Sequence, residues 1–209
     1  MEKIGKPWIA HFGVVATVAI ATLSMSRLAA KTIDTWGASS MEVGYPAPQL
    51  HLRTLQGSPV DPAIFANKIT VLIYTSENCP ISAKYQSRIS ALAESYAGDQ
   101  RVRIVEINGD PARTHITSGQ VRESVGKRNP NHPVYIDIAG QFAHDYGLSV
   151  TPTCYIIGID GCLRYTGSFD DNADPSKVSR QYVADALSRL LDGRPVECTA
   201  TQPFGCHVN

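Results

Sequence analysis

Ile69 to Thr75 (ITVLIYT) is an unbroken run of β-branched, aliphatic and aromatic residues. A run of that length without polar alternation predicts a central strand buried on both faces. Directly after it come Cys79 and Pro80, then apolar residues at Ile81, Tyr85, Ile89, Leu92 and Tyr96. Their spacing fits one face of a helix. Val102 to Ile107 and Val134 to Ile136 read as further strands, and Gln141 to Tyr146 as a short helix ended by Gly147. Upstream, Gly44 to Pro48 is a stiff extended entry, and Gln49 to Arg53 alternates like a short edge strand. Between Asn108 and Asn131 the chain is polar, with only weak helical spacing at Ile116, Val121 and Val125. Strand and helix in alternation imply right-handed crossovers and an α/β layer arrangement.

The last third changes character. Thr153 to Ile159 and Leu163 to Thr166 flank Asp160-Gly161, a strong hairpin signal. A two-residue turn there pairs Ile159 with Cys162 and sets Cys154 opposite Gly167. Cys154 and Cys162 then lie on opposite sheet faces, where they cannot bond each other. Asp174-Pro175 supplies a helix start, with Val178, Tyr182, Leu187 and Leu191 as the buried face until Gly193. From Arg194 onward there is no periodicity, which predicts an irregular, tethered tail. The expected architecture is a mixed central sheet flanked by helices.

At the N-terminus, Lys3 and Lys6 precede an apolar stretch from Val14 to Leu23. That is too short to span a bilayer comfortably and fits an export signal or an uncleaved anchor over residues 1–30. A polar linker over 31–43, a domain over 44–193 and a tail over 194–209 complete the expected organisation. The protein is thus expected in the periplasm or cell envelope, touching membrane only through its N-terminal segment. Nineteen basic and nineteen acidic side chains leave a formal net charge of zero, with no basic stripe. Nucleic-acid binding is not expected from that balance. A hydrophobic content of 43% excludes a largely disordered chain. Export makes the five cysteines meaningful, because disulfides persist there. Five is odd, so at least one sulfur stays outside any intramolecular pair.

Cys79 stands where a buried strand meets the first turn of a helix. Unpaired backbone N–H groups and the helix dipole stabilise negative charge at such a place and favour the thiolate. Pro80 suits the first turn, since the N–H it lacks would be unpaired there. Ser82, one turn on, is a candidate hydrogen-bond donor to the sulfur. Glu77 reads as a solvated loop carboxylate. The competing reading of Cys79 is a buried, inert cysteine.

The strand ITVLIYT, the segment Ser76-Glu77-Asn78-Cys79-Pro80-Ile81-Ser82, and Tyr146-Gly147-Leu148-Ser149-Val150-Thr151-Pro152-Thr153 before a hairpin ending in Gly167 together resemble the thioredoxin fold. Within that fold the chain is most similar to the redoxin or peroxiredoxin-like (AhpC/TSA-related) family. The entry around Ala47-Pro48, the segment Gly167 to Asp171 and the pair Gly205-Cys206 fit that branch too. The resemblance implies that Pro152 is a cis proline and that Thr151 and Pro152 face the reactive Cys79. It also implies Cys206 as a resolving partner for Cys79. A Cys198–Cys206 pair within the tail stands as the alternative.

The departures from the family narrow the chemistry. The second cysteine of a Cys-x-x-Cys motif is replaced by Ser82, so no disulfide forms within the loop. Aligned on Cys79, the peroxidase proline and threonine become Leu72 and Ser76. Ile73 stands where thioredoxins carry a buried carboxylate. The expected function is a cell-envelope thiol oxidoreductase in which Cys79 attacks a disulfide or a small peroxide, with a thiol or disulfide protein as partner and no cofactor. The alternative is a non-catalytic redoxin module that binds a partner protein or copper. Cys206-His207 would contribute to a copper site, but His51, His115, His132 and His144 show no ligand spacing, so no metal is expected.

Overall fold

The computed structural model describes residues 41–208. The export segment and nearly all of the linker expected from the sequence lie outside the described residues. Among the described residues, no helix is long and apolar enough to cross a membrane.

The sheet is built around β2 (Ile69–Thr75), whose seven residues are all buried. It runs parallel to β3 (Val102–Asn108) on one side and antiparallel to β6 (Thr153–Ile157) on the other. β4 (Val134–Ile136) extends the parallel side and β7 (Leu163–Gly167) the antiparallel side, while β1 (Arg53–Thr54) closes the far edge against β4. The strand order is β1-β4-β3-β2-β6-β7. Side chains alternate along β2, so Val71 and Ile73 enter one core and Leu72 and Tyr74 the other. The first core is covered by α1 (Pro80–Ser95), through Tyr85, Ile89 and Leu92, and by α5 (Tyr182–Leu191), through Val183 and Leu187. The second is filled by Val105, Ile107 and Tyr155 with the stacked rings of Tyr74, Phe142 and Tyr146. Phe142 lies on α4 (Gln141–Asp145). The thioredoxin-like arrangement of a mixed sheet between helices is therefore present.

Several elements differ from expectation for identifiable reasons. Gly158 N donates to Cys162 O, and Gly161 at φ +78 follows a turn closed by Gly161 N on Gly158 O. The hairpin loop thus has three residues, Ile159 to Gly161, rather than two. A register shift between Ile156 and Ile157 absorbs the extra residue, and Cys154 still pairs with Gly167. Asp174 caps only a 3-10 turn, Pro175–Lys177, after which Val178 is extended and α5 starts at Tyr182. The polar stretch holds α2 (Asp110–Arg113) and α3 (Ser118–Arg128). α3 opens with a reciprocal capping box between Thr117 and Gln120, which supplies what its sparse apolar spacing lacks.

The tail is ordered as well. Thr166 N donates to Thr199 O and Thr201 N to Thr166 O, which lays the tail along β7. Ser168 donates from its amide to Thr201 Oγ1 and from its hydroxyl to Gln202 O, both at 2.9 Å. Phe204 packs into the first core. The chain then ends in β8 (Cys206–His207), antiparallel to β5 (Val150–Thr151).

Candidate active site

Cys79 is the N-cap residue of α1. Its backbone is extended, at φ −103 and ψ 110, and its Sγ accepts the Ser82 N–H at 3.4 Å. The help expected from Ser82 therefore comes from the backbone. The Ser82 hydroxyl instead accepts Ser76 N at 3.4 Å. The loop before Cys79 is shaped by Asp110, a buried carboxylate at the start of α2. Its Oδ1 accepts the Ser76 hydroxyl at 2.5 Å and its Oδ2 accepts Glu77 N at 2.6 Å. Asn78 N donates to Ser76 Oγ and Cys79 N to Ser76 O. A buried carboxylate thus stands behind the loop, supplied from residue 110 instead of position 73.

The opposite wall is the Thr151–Pro152 peptide, which is cis. Thr151 O lies 3.3 Å from Cys79 Sγ. β8 reaches the same point from the other end of the chain, and Cys79 and Cys206 form a disulfide with their Cα atoms 5.8 Å apart. The approach requires Gly205. Its φ is +153, and a Cβ there would sit 1.9 Å from Thr151 O. Thr151 Oγ1 donates to Cys206 O at 3.4 Å and Val208 N to Ser149 O at 2.9 Å, securing the strand. Cys198 has no part in this pair; it is exposed, with its thiol directed at Ala200 O. Cys154 and Cys162 are free too, and burial pushes the Cys154 thiol up. A cleft of about 700 Å³ opens beside the disulfide, lined by Ser76, Asn78, His115, Thr151, Cys206 and His207 among others.

Behind the loop lies a network that sequence reasoning missed. Glu106, fully buried on β3, accepts from Thr75 Oγ1 at 2.8 Å, Gln86 Nε2 at 3.0 Å and both Arg128 Nη atoms at 2.8 and 3.1 Å. His132 Nε2 is 3.1 Å away. Burial alone would push the Glu106 carboxyl up, yet the hydrogen bonds from His132 and Arg128 and the Arg128 charge outweigh it and bring it down to about 2. Glu77 is not the solvated carboxylate expected: it accepts Ser124 Oγ at 2.6 Å and pairs with Arg128 at 3.5 Å. Arg128 therefore links the buried Glu106 to the loop two residues before Cys79. A charged residue inside the apolar pattern of β3 was the one available signal. Among the described residues, no group of three or more His, Cys, Asp or Glu is arranged to hold a metal ion.

A model of the AhpC/TSA family matches residues 43–166. The chain belongs to the AhpC/TSA family. The family match takes in Cys79 and the cis-proline loop and stops short of the tail that carries Cys206. Among solved structures, the chain is similar to a hypothetical protein of Sinorhizobium meliloti 1021, with 24% identity over 81% of this chain and 94% of that one and a TM-score of 0.71. An uncharacterised conserved protein of Geobacillus kaustophilus gives 23% identity over 82% and 93%, with a TM-score of 0.72. A candidate thiol:disulfide interchange protein, DsbE, from Chlorobium tepidum gives 18% identity over 74% and 98%, with a TM-score of 0.57. These likenesses show the thioredoxin-like fold of this AhpC/TSA member. No curated protein matches the chain.

Proposed function

We propose that this protein is a two-cysteine thiol oxidoreductase of the cell envelope, with Cys79 as nucleophile and Cys206 as resolving residue. The observation that carries the reading is the Cys79–Cys206 disulfide at the start of α1. In the reduced protein the Cys79 thiolate, favoured by the Ser82 N–H and the helix N-terminus, attacks one sulfur of a partner disulfide. The partner's other sulfur leaves as a thiolate, giving a mixed disulfide on Cys79. The Cys206 thiolate then attacks Cys79 Sγ and releases the partner's first sulfur. Two electrons have passed to the partner, and the chain is left with its internal disulfide. Thr151 and Pro152 form the wall along which the partner's sulfur would lie.

Disulfide exchange is favoured over peroxide reduction by the position of Ser76. It stands where the family's peroxidases carry a threonine, but its hydroxyl is donated to Asp110 and is not directed to a ligand beside Cys79. Thr151, Pro152 and Cys206 face Cys79, whereas Cys198 lies outside the site. An envelope setting is supported by the basic-then-apolar N-terminus and by a disulfide that an exporting compartment would preserve. The test is turnover of a disulfide-bonded protein and of hydrogen peroxide by the reduced chain. Disulfide turnover that vanishes in Cys79→Ser is the expected result. Retained turnover in that variant rejects the mechanism, and rapid peroxide consumption with no disulfide turnover would replace the substrate class.

A further inference from the structure

The described chain enters the domain at the end opposite to the active site. Gly44 N donates to Leu163 O, Leu163 N to Tyr45 O and Ala47 N to Gly161 O, which pins residues 44–47 beside the tip of the β6–β7 hairpin. That tip lies at the Ile69 end of β2, because Thr70 pairs with Ile157. Cys79 follows the other end of β2, a strand length or about 20 Å away. Among the described residues three large apolar side chains are exposed, and two of them, Tyr45 and Ile159, stand at this tip. Ile159 also lines two clefts, one of about 640 Å³ shared with Val43, Ile69 and Val196, the other of about 230 Å³ shared with Leu50 and Phe65. The hairpin tip thus joins two apolar recesses into one surface, the kind that marks an interaction site. The two arginines that line the larger cleft are each paired with an aspartate, Arg164 with Asp160 and Arg194 with Asp192, so the apolar side chains set the character of this end.

The chain that leads to this face indicates what covers it. Upstream of Val43 the sequence carries the apolar stretch Val14 to Leu23 behind Lys3 and Lys6, and seventeen residues, Ser24 to Ser40, separate that stretch from the described domain. An unconstrained chain of that length spans about 20–25 Å, no more than a strand such as β2. We infer that the Tyr45–Ile159 end rests on the surface of the bilayer in which the N-terminal segment is anchored, with Cys79 and its cleft turned to the aqueous side. This rests on the envelope reading, with residues 1–30 retained as an anchor, and adds an orientation to it. Two side chains are too few to hold a domain on a membrane by themselves, but a tether raises their effective concentration at the surface and lets a weak contact persist. Tyr45 suits the headgroup layer, being apolar over its ring and polar at its tip. Ile159, at the hairpin tip, is the side chain that meets the acyl boundary. A partner disulfide then reaches Cys79 without competing with the membrane for the same face.

The test is hydroxyl-radical footprinting of the full-length protein reconstituted into vesicles of phosphatidylethanolamine and phosphatidylglycerol, with oxidation read residue by residue by mass mapping. Ile138 is the internal reference. It is the third exposed apolar side chain, and it follows β4, whose last residue, Ile136, shares Asn108 as a partner with Thr75 at the active-site end. Ile159 at 61% exposure and Ile138 at 45% carry the same side chain, so in dilute protein without lipid Ile159 oxidises the faster. On vesicles the order is expected to reverse, with Tyr45 protected together with Ile159 and Ile138 unchanged. Flotation with the vesicles while Ile159 stays the faster of the two overturns the inference and leaves the anchor intact. Failure to float overturns the inference and the anchor together, and disulfide turnover at Cys79, measured separately, is untouched by either outcome. Protection of Ile159 without lipid that grows with protein concentration makes a second copy of this chain the occupant and overturns the inference too.

Discussion

Asp110 lies 34 residues beyond Ser76, yet its carboxylate receives the Ser76 hydroxyl at 2.5 Å and, on its second oxygen, the neighbouring Glu77 amide at 2.6 Å. The loop that delivers Cys79 is therefore shaped from the start of α2. Both oxygens act as acceptors, and the site is buried, so an amide cannot replace the carboxylate without turning a donor toward a donor. Asp110→Asn should lower stability by about 1–3 kcal/mol. Chemical denaturation measures that loss, and the same variant should re-form the Cys79–Cys206 bond more slowly from the reduced state. An unchanged reoxidation rate would show that the loop holds its shape without this carboxylate.

Glu106 gives a pH dependence with a defined sign. Its folded-state carboxyl sits at about 2, below the ordinary value of 4.5 for a free glutamate. The stabilisation is thus full above about 4.5 and is lost as pH falls through about 2. Glu106→Gln should cost on the order of 2–4 kcal/mol at neutral pH, since Arg128 then lacks its buried counter-charge. The gap between the variant and the parent should narrow as pH is lowered from 4.5 toward 2. Denaturation midpoints across that window check the trend, and a constant gap would mean that the loss is one of packing.

At Gly205 even one methyl group is too many. A Cβ would meet Thr151 O at 1.9 Å, and that atom is backbone at the floor of the site. Gly205→Ala should displace β8 and reduce the fraction of protein that carries the internal disulfide after oxidation. A thiol count under denaturing, non-reducing conditions reads this directly: three thiols in the parent among residues 41–208, rising toward five in the variant.

The three free thiols should label in order of exposure. Cys198 is exposed, Cys162 half-buried, and Cys154 buried with its thiol pushed up by burial and the nearby Asp170 charge. Maleimide applied to the oxidised protein should modify Cys198 first and Cys162 more slowly, with Cys154 reacting only on unfolding. Mass mapping over time settles the order, and early labelling of Cys154 would reveal local opening of the β6 region.

The strands and the first helix were legible because their signals are local. ITVLIYT could be little other than a doubly covered strand, and the spacing from Ile81 to Tyr96 marks α1, although Ile81 and Tyr96 prove to lie at its margins. Cys79 was legible for the same reason: a helix start can be read from its neighbours. What escaped depends on partners distant in sequence. Glu106 looks like a polar interruption of β3 until Arg128 and His132 are brought beside it. Asp110 looks like the start of a polar stretch until Ser76 and Glu77 arrive. The tail has no periodicity because its order comes from hydrogen bonds to β7 and β5 rather than from an apolar face of its own. The choice between Cys198 and Cys206 likewise could not be made from spacing, since it turns on where β8 is laid.

The bond between Cys79 and Cys206 spans a sequence separation of 127. In the chain-entropy picture, closing a ring of that size removes disorder from the unfolded chain worth about 5 kcal/mol at room temperature. Among the described residues, β1 and β2 lie outside the ring, while every later strand and all five α-helices lie within it, apart from the end of the tail. Opening the ring, as the proposed cycle requires, therefore makes unfolding easier for most of the domain. Chemistry at a single bond and the robustness of the whole domain are thermodynamically one variable in this protein. A partner that reduces it works against the folded state's own preference for the closed ring.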